Sequence, residues 1–93
     1  MREIERTKQF RRDYKREIKG RHKGTLDFSL PEVLMALIND QLLAEKHRDH
    51  ALTGAWETFR DCHIKPDLIL IYRKLDDDVL QLVRLGSHSE LGL

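Results

Sequence analysis

Hydrophobic residues near the N-terminus recur at every fourth position, which predicts a helix with one apolar stripe and basic flanks. The stripe consists of Phe10, Tyr14 and Ile18. Thr7 is a residue type that caps helix N-termini, and Gly20 and Gly24 are expected to end this helix. Residues 2–6 alternate between apolar and polar types, so we expect a short strand before it.

A second, more hydrophobic helix is predicted to follow. Residues 29–32 read Ser-Leu-Pro-Glu, a capping box with proline in the first turn, which marks a helix start. Apolar residues then recur with helical spacing at Leu30, Val33, Leu34, Leu37 and Ile38. Asn39 and Asp40 mark the helix end.

The second half of the chain changes to the two-residue period of β-strands. Strands are predicted over residues 55–63, 68–72 and 79–85, with turns at 65–67 and 76–78 and a polar loop at 44–54. Consecutive strands with short connections form an antiparallel meander. The predicted fold is α+β: one domain over residues 1–93, with a short N-terminal strand and two antiparallel helices packed on a three- to four-stranded, mainly antiparallel sheet.

The length of 93 residues leaves no room for a large internal cavity, so any active site is expected to be a shallow surface depression. Cys62 is the only cysteine, which excludes an internal disulfide framework and a cysteine-rich zinc module. The longest apolar run, residues 68–71, is too short to cross a bilayer, and no signal-peptide pattern opens the chain. We therefore expect a cytoplasmic protein without membrane association.

Charge is unevenly distributed along the chain, although the net charge is only +1. Residues 1–24 contain ten basic and four acidic side chains, a net +6, whereas residues 25–93 contain seven basic and twelve acidic side chains, a net −5. A basic segment of this kind is typical of surfaces that bind phosphate, in nucleic acid or at a membrane. A solvated helix face and a surface for an acidic protein are the alternatives.

Several titratable side chains fall where the predicted meander would bring them close together. They are His50, His63, Asp67 and His88, with Arg60 and Arg84 inside the neighbouring strands. One imidazole can accept a proton while another donates one, and guanidinium groups stabilise phosphate charge. This set is suited to cleaving RNA without a metal. A base takes the proton of the ribose 2′-OH, the oxygen attacks the adjacent phosphate, and an acid protonates the leaving 5′-oxygen.

Each of these side chains also has a purely structural alternative. A loop histidine is most often solvated, and His22 and His47 are expected to lie on the surface. His47 and His50 have ligand-like spacing, but no HExxH or Cys-His pattern is present, so we expect neither a metal site nor a cofactor. Trp56 is expected to pack against the sheet and Cys62 to be buried.

Four ordered segments in the second half carry a more specific pattern. They are residues 50–56 (His-Ala-Leu-Thr-Gly-Ala-Trp), 59–67 (Phe-Arg-Asp-Cys-His-Ile-Lys-Pro-Asp), 68–72 (Leu-Ile-Leu-Ile-Tyr) and 84–91 (Arg-Leu-Gly-Ser-His-Ser-Glu-Leu). This pattern resembles the YafQ branch of the RelE/ParE toxin superfamily. The basic helical hairpin before it extends the resemblance over nearly the whole chain, which implies a RelE-like fold.

That family consists of bacterial ribosome-dependent mRNA endonucleases, the toxins of type II toxin–antitoxin pairs. The resemblance implies cleavage of mRNA in the decoding site of a translating ribosome, without a metal, leaving a 2′,3′-cyclic phosphate and a 5′-hydroxyl. His88 would be the general acid and either His50 or Asp67 the base, with His63 orienting the nucleophile or the phosphate. The RNA- and phosphate-binding residues would be Lys15, Arg16, Lys19, Arg60 and Arg84.

The implied partners are the translating ribosome with its RNA, the mRNA, and a small DinJ-like antitoxin that would form a hetero-oligomer with an otherwise monomeric protein. One departure concerns the C-terminus, where this branch carries an aromatic residue after the last histidine and the present chain reads Leu91-Gly92-Leu93. Two alternatives remain: a noncatalytic ribosome- or RNA-binding module of the same fold, and a ParE-like topoisomerase inhibitor. The retained histidines argue against the latter.

Overall fold

A five-stranded sheet forms the framework, and its central strands come from the second half of the chain. The computed structural model describes residues 1–20 and 22–93. The strands are β1 (Glu3–Arg6), β2 (His50–Ala51), β3 (Arg60–Lys65), β4 (Leu68–Leu75) and β5 (Val79–Gly86), in the spatial order β1-β5-β4-β3-β2. The predicted meander is confirmed, because β3, β4 and β5 pair antiparallel. The sheet is wider than predicted, since part of the polar loop forms β2 beside β3 while β1 pairs parallel with β5.

Three helices accompany the sheet: α1 (Lys8–Glu17), α2 (Lys23–Ile38) and α3 (His88–Leu91). Thr7 caps α1 as predicted, and its side-chain oxygen accepts a hydrogen bond from the Phe10 N–H at 3.0 Å. The short α3 was not predicted. Arg21, one of the basic residues of the N-terminal segment, lies outside the described residues. None of the helices in the described part of the chain is long and apolar enough to span a membrane.

The second helix begins earlier than the capping box at residues 29–32 predicted. It starts at Lys23, and both Gly24, which was expected to end the first helix, and Pro31 lie inside it. The earlier start places Leu26 on the buried stripe, where it is only 2% exposed. Burying a leucine contributes roughly 1.5–3 kcal/mol, more than the ~1 kcal/mol of a capping residue. The additional buried side chain therefore outweighs the local start signal.

The sheet face covered by α1 and α2, called the helix face below, carries the larger part of the core. Phe10 of α1 is buried there, and Tyr14 and Ile18 pack against the same cluster, which confirms the predicted stripe. The strand residues on this face are Cys62, Ile64, Leu68, Leu70, Tyr72, Leu80, Leu82 and Leu85. Both helices thus pack on one side of the sheet.

The opposite side, called the open face below, carries Ile69 and Ile71 of β4, which alternate with the helix-face residues. Leu91 of α3 is buried against them, with half-buried Trp56 and Phe59 alongside. The continuous apolar run in β4 is therefore covered on both faces. Within the described residues, α3 and the segment that carries Trp56 and Phe59 cover the open face, and fewer apolar side chains are buried there than on the helix face.

The strand predicted to begin at residue 55 begins only at Arg60. Residues Gly54–Trp56 form a single 3₁₀ turn instead, which starts with Gly54 at φ 65°, a conformation that favours glycine. Strict alternation would have placed Trp56 and Phe59 on opposite faces. The turn brings their rings into edge-to-face contact on one face, with centroids 5.3 Å apart.

Candidate active site

Three histidines surround one buried carboxylate on the open face. Asp61 and His63 of β3 pair with the two open-face isoleucines of β4, so both side chains point away from α1 and α2. His50 of β2 pairs with Asp61, and His88 is the first residue of α3, directly after β5. The charges of all three histidines act on the Asp61 carboxyl. The structure therefore brings together the three histidines that the sequence singled out.

His63 and His88 contact each other through their rings, with centroids 5.4 Å apart and planes inclined by 63°. His63 is half-buried and is hydrogen-bonded to the backbone of Pro66. Burial lowers the pKa of His63 below its usual value; the Asp61 carboxylate opposes this shift and His88 adds to it. Since the usual value is already below 7, His63 is mainly neutral at neutral pH.

The surroundings of His50 determine which of its ring nitrogens carries the proton. Nδ1 lies 2.7 Å from the carbonyl oxygen of Arg48 and 3.1 Å from Oδ1 of Asp61. Both neighbours are hydrogen-bond acceptors, so we assign the proton to Nδ1. In the neutral ring Nε2 then keeps a free lone pair, which makes it a proton acceptor. The side chain is 54% exposed, so a substrate can approach it.

Asp61 is the functional residue that the sequence reasoning left unassigned. It is only 3% exposed, and burial raises its pKa, while the charges of His50, His63 and His88 act in the opposite direction. Its Oδ1 has no hydrogen-bond partner within the described residues. His50 Nδ1 lies closer to the Arg48 carbonyl oxygen than to this carboxylate oxygen, so its proton is directed to Arg48. The signal was present in the sequence, since alternation places Asp61 on the same face as His63.

Asp67 lies at the edge of this group. It is exposed in the turn before β4, and with Arg16, Ser87 and Glu90 it lines a shallow depression of about 300 Å³. The register of β4 and β5, in which Ile69 pairs with Gly86, puts Asp67 and the start of α3 at the same end of the sheet. Its role as a base stays a prediction.

The two strand arginines are engaged in ion pairs with carboxylates of the same chain. Arg60 lies on the helix-face side of β3. Its Nε and Nη2 are each 3.3 Å from the carboxylate of Asp49, and this carboxylate also accepts a hydrogen bond from the hydroxyl of Tyr72. Arg84 binds Asp13 of α1, with Nε at 2.7 Å and Nη2 at 3.3 Å from the two carboxylate oxygens. Phosphate binding by either arginine would compete with a pairing already made.

The three basic residues singled out by sequence in α1 and the turn after it differ in their surroundings. Lys15 and Lys19 are exposed, as a phosphate-binding surface requires. Arg16 is 41% exposed, yet it forms ion pairs with Asp13, Glu17 and Glu90. The predicted RNA contact therefore stays open for the two lysines, whereas Arg16 is occupied by partners within the chain.

Two residues near the site have structural functions. His47 was expected on the surface, but it is buried, and its Nδ1 lies 2.7 Å from the backbone carbonyl oxygen of His63, which anchors β3. Cys62 is buried on the helix face as expected, and burial raises the pKa of its thiol. Among the described residues no group of three or more His, Cys, Asp or Glu side chains is arranged to hold a metal ion.

Comparison with known proteins shows similarity over the whole chain. Residues 2–92 match the family model described as "Bacterial toxin of type II toxin-antitoxin system, YafQ". The mRNA interferase toxin YafQ of Escherichia coli is 44% identical over 90 residues, which cover 95% of this chain and 97% of that relative.

Solved structures agree with the fold. A copper-bound mutant toxin from Helicobacter pylori superimposes with a TM-score of 0.87 at 43% identity, covering 98% of this chain and 99% of that one. The toxin in the Escherichia coli DinJ-YafQ complex gives a TM-score of 0.83 at 38% identity, with 98% of each chain covered. The likeness includes the α+β architecture expected from the sequence.

Proposed function

The chain belongs to the YafQ family of bacterial type II toxin–antitoxin toxins, and we propose that it is an endoribonuclease that cleaves mRNA held in the decoding site of a translating ribosome. The observation that carries the proposal is the group formed by His50, Asp61, His63 and His88 on the open face. It combines one imidazole with a free lone pair, two further imidazoles in contact with each other, and a buried carboxylate. The open, shallow surface suits a substrate presented by a larger particle.

His50 is assigned as the general base. Its Nδ1 proton faces two acceptors, so Nε2 is the atom that takes the proton of the ribose 2′-OH. Asp67, the other candidate, is exposed in the turn before β4, at the edge of the histidine group. The geometry therefore favours His50, and Asp67 is assigned to orienting the RNA.

His88 is assigned as the general acid that protonates the leaving 5′-oxygen, with neutral His63 beside it orienting the phosphate. Asp61 stabilises positive charge on the surrounding imidazoles as the proton moves through the group, since its carboxylate interacts with all three. The 2′-oxygen forms a bond to phosphorus as the bond to the 5′-oxygen breaks. The products are a 2′,3′-cyclic phosphate and a 5′-hydroxyl, and no metal takes part.

Binding to the ribosome is assigned to the exposed Lys15 of α1 and Lys19 of the following turn, because both lie within the segment that carries a net +6. The cytoplasm is the corresponding compartment. A DinJ-like antitoxin is the proposed inhibitory partner, since the related Escherichia coli toxin occurs in a DinJ-YafQ complex.

The proposal is tested by primer extension on a defined mRNA in a translating ribosome, with and without EDTA under conditions in which ribosome integrity is verified. Wild type is compared with His88→Ala and His50→Ala, each expected to lower the cleavage rate about 10²–10⁴-fold. Asp77→Ala is the control, because Asp77 is exposed in the turn between β4 and β5, at the opposite end of β5 from His88. It should cleave like wild type.

The pH dependence separates the two candidate bases. His50→Ala should abolish the acidic limb of the pH–rate profile, whereas Asp67→Asn should lower the rate without removing that limb. Ribosome binding without any cleavage by the wild-type protein would overturn the enzymatic proposal and favour a noncatalytic ribosome-binding module. DNA damage signalling in cells without loss of mRNA would instead favour topoisomerase inhibition.

A further inference from the structure

The helix that carries His88 is too short to hold its own position. A helix of four residues has no cooperative stability in water, so α3 depends on contacts with its surroundings. A capping box between Ser87 and Glu90 stabilises it locally. Besides the ring contact of His88 with His63, two side chains connect it to the rest of the molecule: Leu91 packs on the open face, and Glu90 forms an ion pair with Arg16 of α1.

Arg16 binds the end of β5 and the start of α3 at the same time. Its Nε lies 3.0 Å from Oε2 of Glu90, and its Nη2 donates to the carbonyl oxygen of Leu85 at 2.8 Å. Its Nη1 donates at 2.9 Å to Asp13, whose carboxylate also accepts the Leu85 N–H at 3.0 Å. Nη2 therefore bonds the backbone before His88 directly, and Nη1 reaches it through Asp13, while Nε lies between the carboxylates of Glu17, at 2.8 Å, and Glu90.

Gly86 provides independent support for this arrangement. A Cβ atom at this position would lie 2.8 Å from Nη2 of Arg16 and 3.1 Å from Oε1 of Glu90. The guanidinium and the carboxylate thus lie directly over the backbone between β5 and α3. A side chain at this position would therefore push the guanidinium of Arg16 and the carboxylate of Glu90 aside, although the backbone of Gly86 is not left-handed.

We propose that the Arg16–Glu90 ion pair is a positioning device that holds His88 in ring contact with His63. The inference rests on the proposed function, because it assumes that His88 is the general acid. It also assigns Arg16 a different task from the neighbouring lysines: Lys15 and Lys19 bind the ribosome, whereas Arg16 orients His88.

Three variants break the device in different ways. Glu90→Gln keeps the capping box, which accepts Gln as well as Glu, and removes only the ion pair. Arg16→Gln removes the cationic member of the same ion pair. Gly86→Ala displaces both groups without changing any charge. Arg12→Gln is the matched control for lost charge, since Arg12 is an exposed residue of the same helix.

Two readouts are measured on each variant. The first is the maximal single-turnover cleavage rate, separated from the KM for programmed ribosomes. A misplacement of a catalytic group by about 1 Å can lower a rate 10²-fold, so the three variants should lose about tenfold or more in maximal rate. Their KM should change no more than that of Arg12→Gln. Arg16→Lys, which keeps one charge but not the fork, should recover part of the rate.

The second readout is the nuclear Overhauser effect between the His63 and His88 rings in the free protein, which does not require activity. It should weaken in the three variants and persist in Arg12→Gln. A contact that only stabilised the fold would lower the unfolding midpoint and leave both readouts unchanged in the folded protein, and this outcome would overturn the proposal. If the wild-type protein does not cleave mRNA, the proposed function is refuted. The nuclear Overhauser effect between the two rings then still tests whether the ion pair positions His88.

Discussion

Replacing Asp13 with Asn removes the charge on which the packing of α1 against β5 depends. Asp13 is fully buried, and its carboxylate accepts four hydrogen bonds. Oδ2 accepts from Nε of Arg84 at 2.7 Å and from the Leu85 N–H at 3.0 Å. Oδ1 accepts from Nη1 of Arg16 at 2.9 Å and from Nη2 of Arg84 at 3.3 Å.

An asparagine of the same shape directs an amide NH₂ group toward one of these two sets of donors. Two charge-assisted hydrogen bonds are then lost and both arginines lose their counter-charge. Removing one partner of a buried ion pair typically costs about 3–5 kcal/mol. Because the Arg16 and Arg84 side chains are 41% and 21% exposed, water can solvate part of the freed charge. We therefore expect a loss near the lower end, about 3 kcal/mol.

The assay is urea denaturation followed by the fluorescence of the single tryptophan, Trp56, and by circular dichroism. In thermal unfolding of the same variant, a loss of about 3 kcal/mol corresponds to a fall in Tm of roughly 12–24 °C for a chain of this size. Asp27→Asn, at an exposed position of α2, is the control and should stay within ~0.5 kcal/mol of wild type. A change below ~1 kcal/mol in Asp13→Asn, with an unchanged m-value, would refute the reasoning.

The same variant has a pH signature. Burial alone would raise the pKa of Asp13, but the hydrogen bonds from Arg84 and Leu85 and the arginine charges hold it below its usual value. A carboxyl group whose folded pKa is depressed contributes stability above its unfolded pKa, and this contribution is lost as the pH falls through the folded value. Wild type should therefore lose stability below about pH 4, and Asp13→Asn should lose less over that range.

The remaining predictions concern the site and its binding surface. Asp61→Asn should lower the pKa of His63 further, because the carboxylate opposes the effect of burial, and an unchanged His63 titration by NMR would contradict the assigned contact. Replacing both Lys15 and Lys19 with Gln should weaken ribosome binding. The slope of log K against log salt concentration should fall by the equivalent of about one to two phosphate contacts. An unchanged slope would exclude a role for this surface. His88→Gln should raise the pKa of His63, since the neighbouring charge is removed.

Local patterns in the sequence were sufficient for most of the secondary structure. The α1 stripe, the Thr7 cap and the meander follow from periodicity and turn chemistry, which act over a few residues. Two predictions were wrong: the start of α2 at residues 29–32 and the start of a strand at residue 55. Burial of Leu26 and contact between Trp56 and Phe59 depend on surfaces supplied by other elements, which local sequence does not show.

His63 and His88 were predictable as neighbours, because each lies near a strand end that the meander brings together, whereas the placement of His50 depends on β2, which its loop sequence did not predict. The partners of the charged side chains were not. Asp13 and Arg84 are separated by 71 residues and Arg16 and Leu85 by 69, so no local pattern relates them. The sequence alone determines that the chain carries basic side chains on α1 and three histidines around the sheet. Only the tertiary structure decides which of those charges are neutralised inside the fold and which remain to bind RNA, because Coulomb and hydrogen-bond energies depend on distances that packing sets.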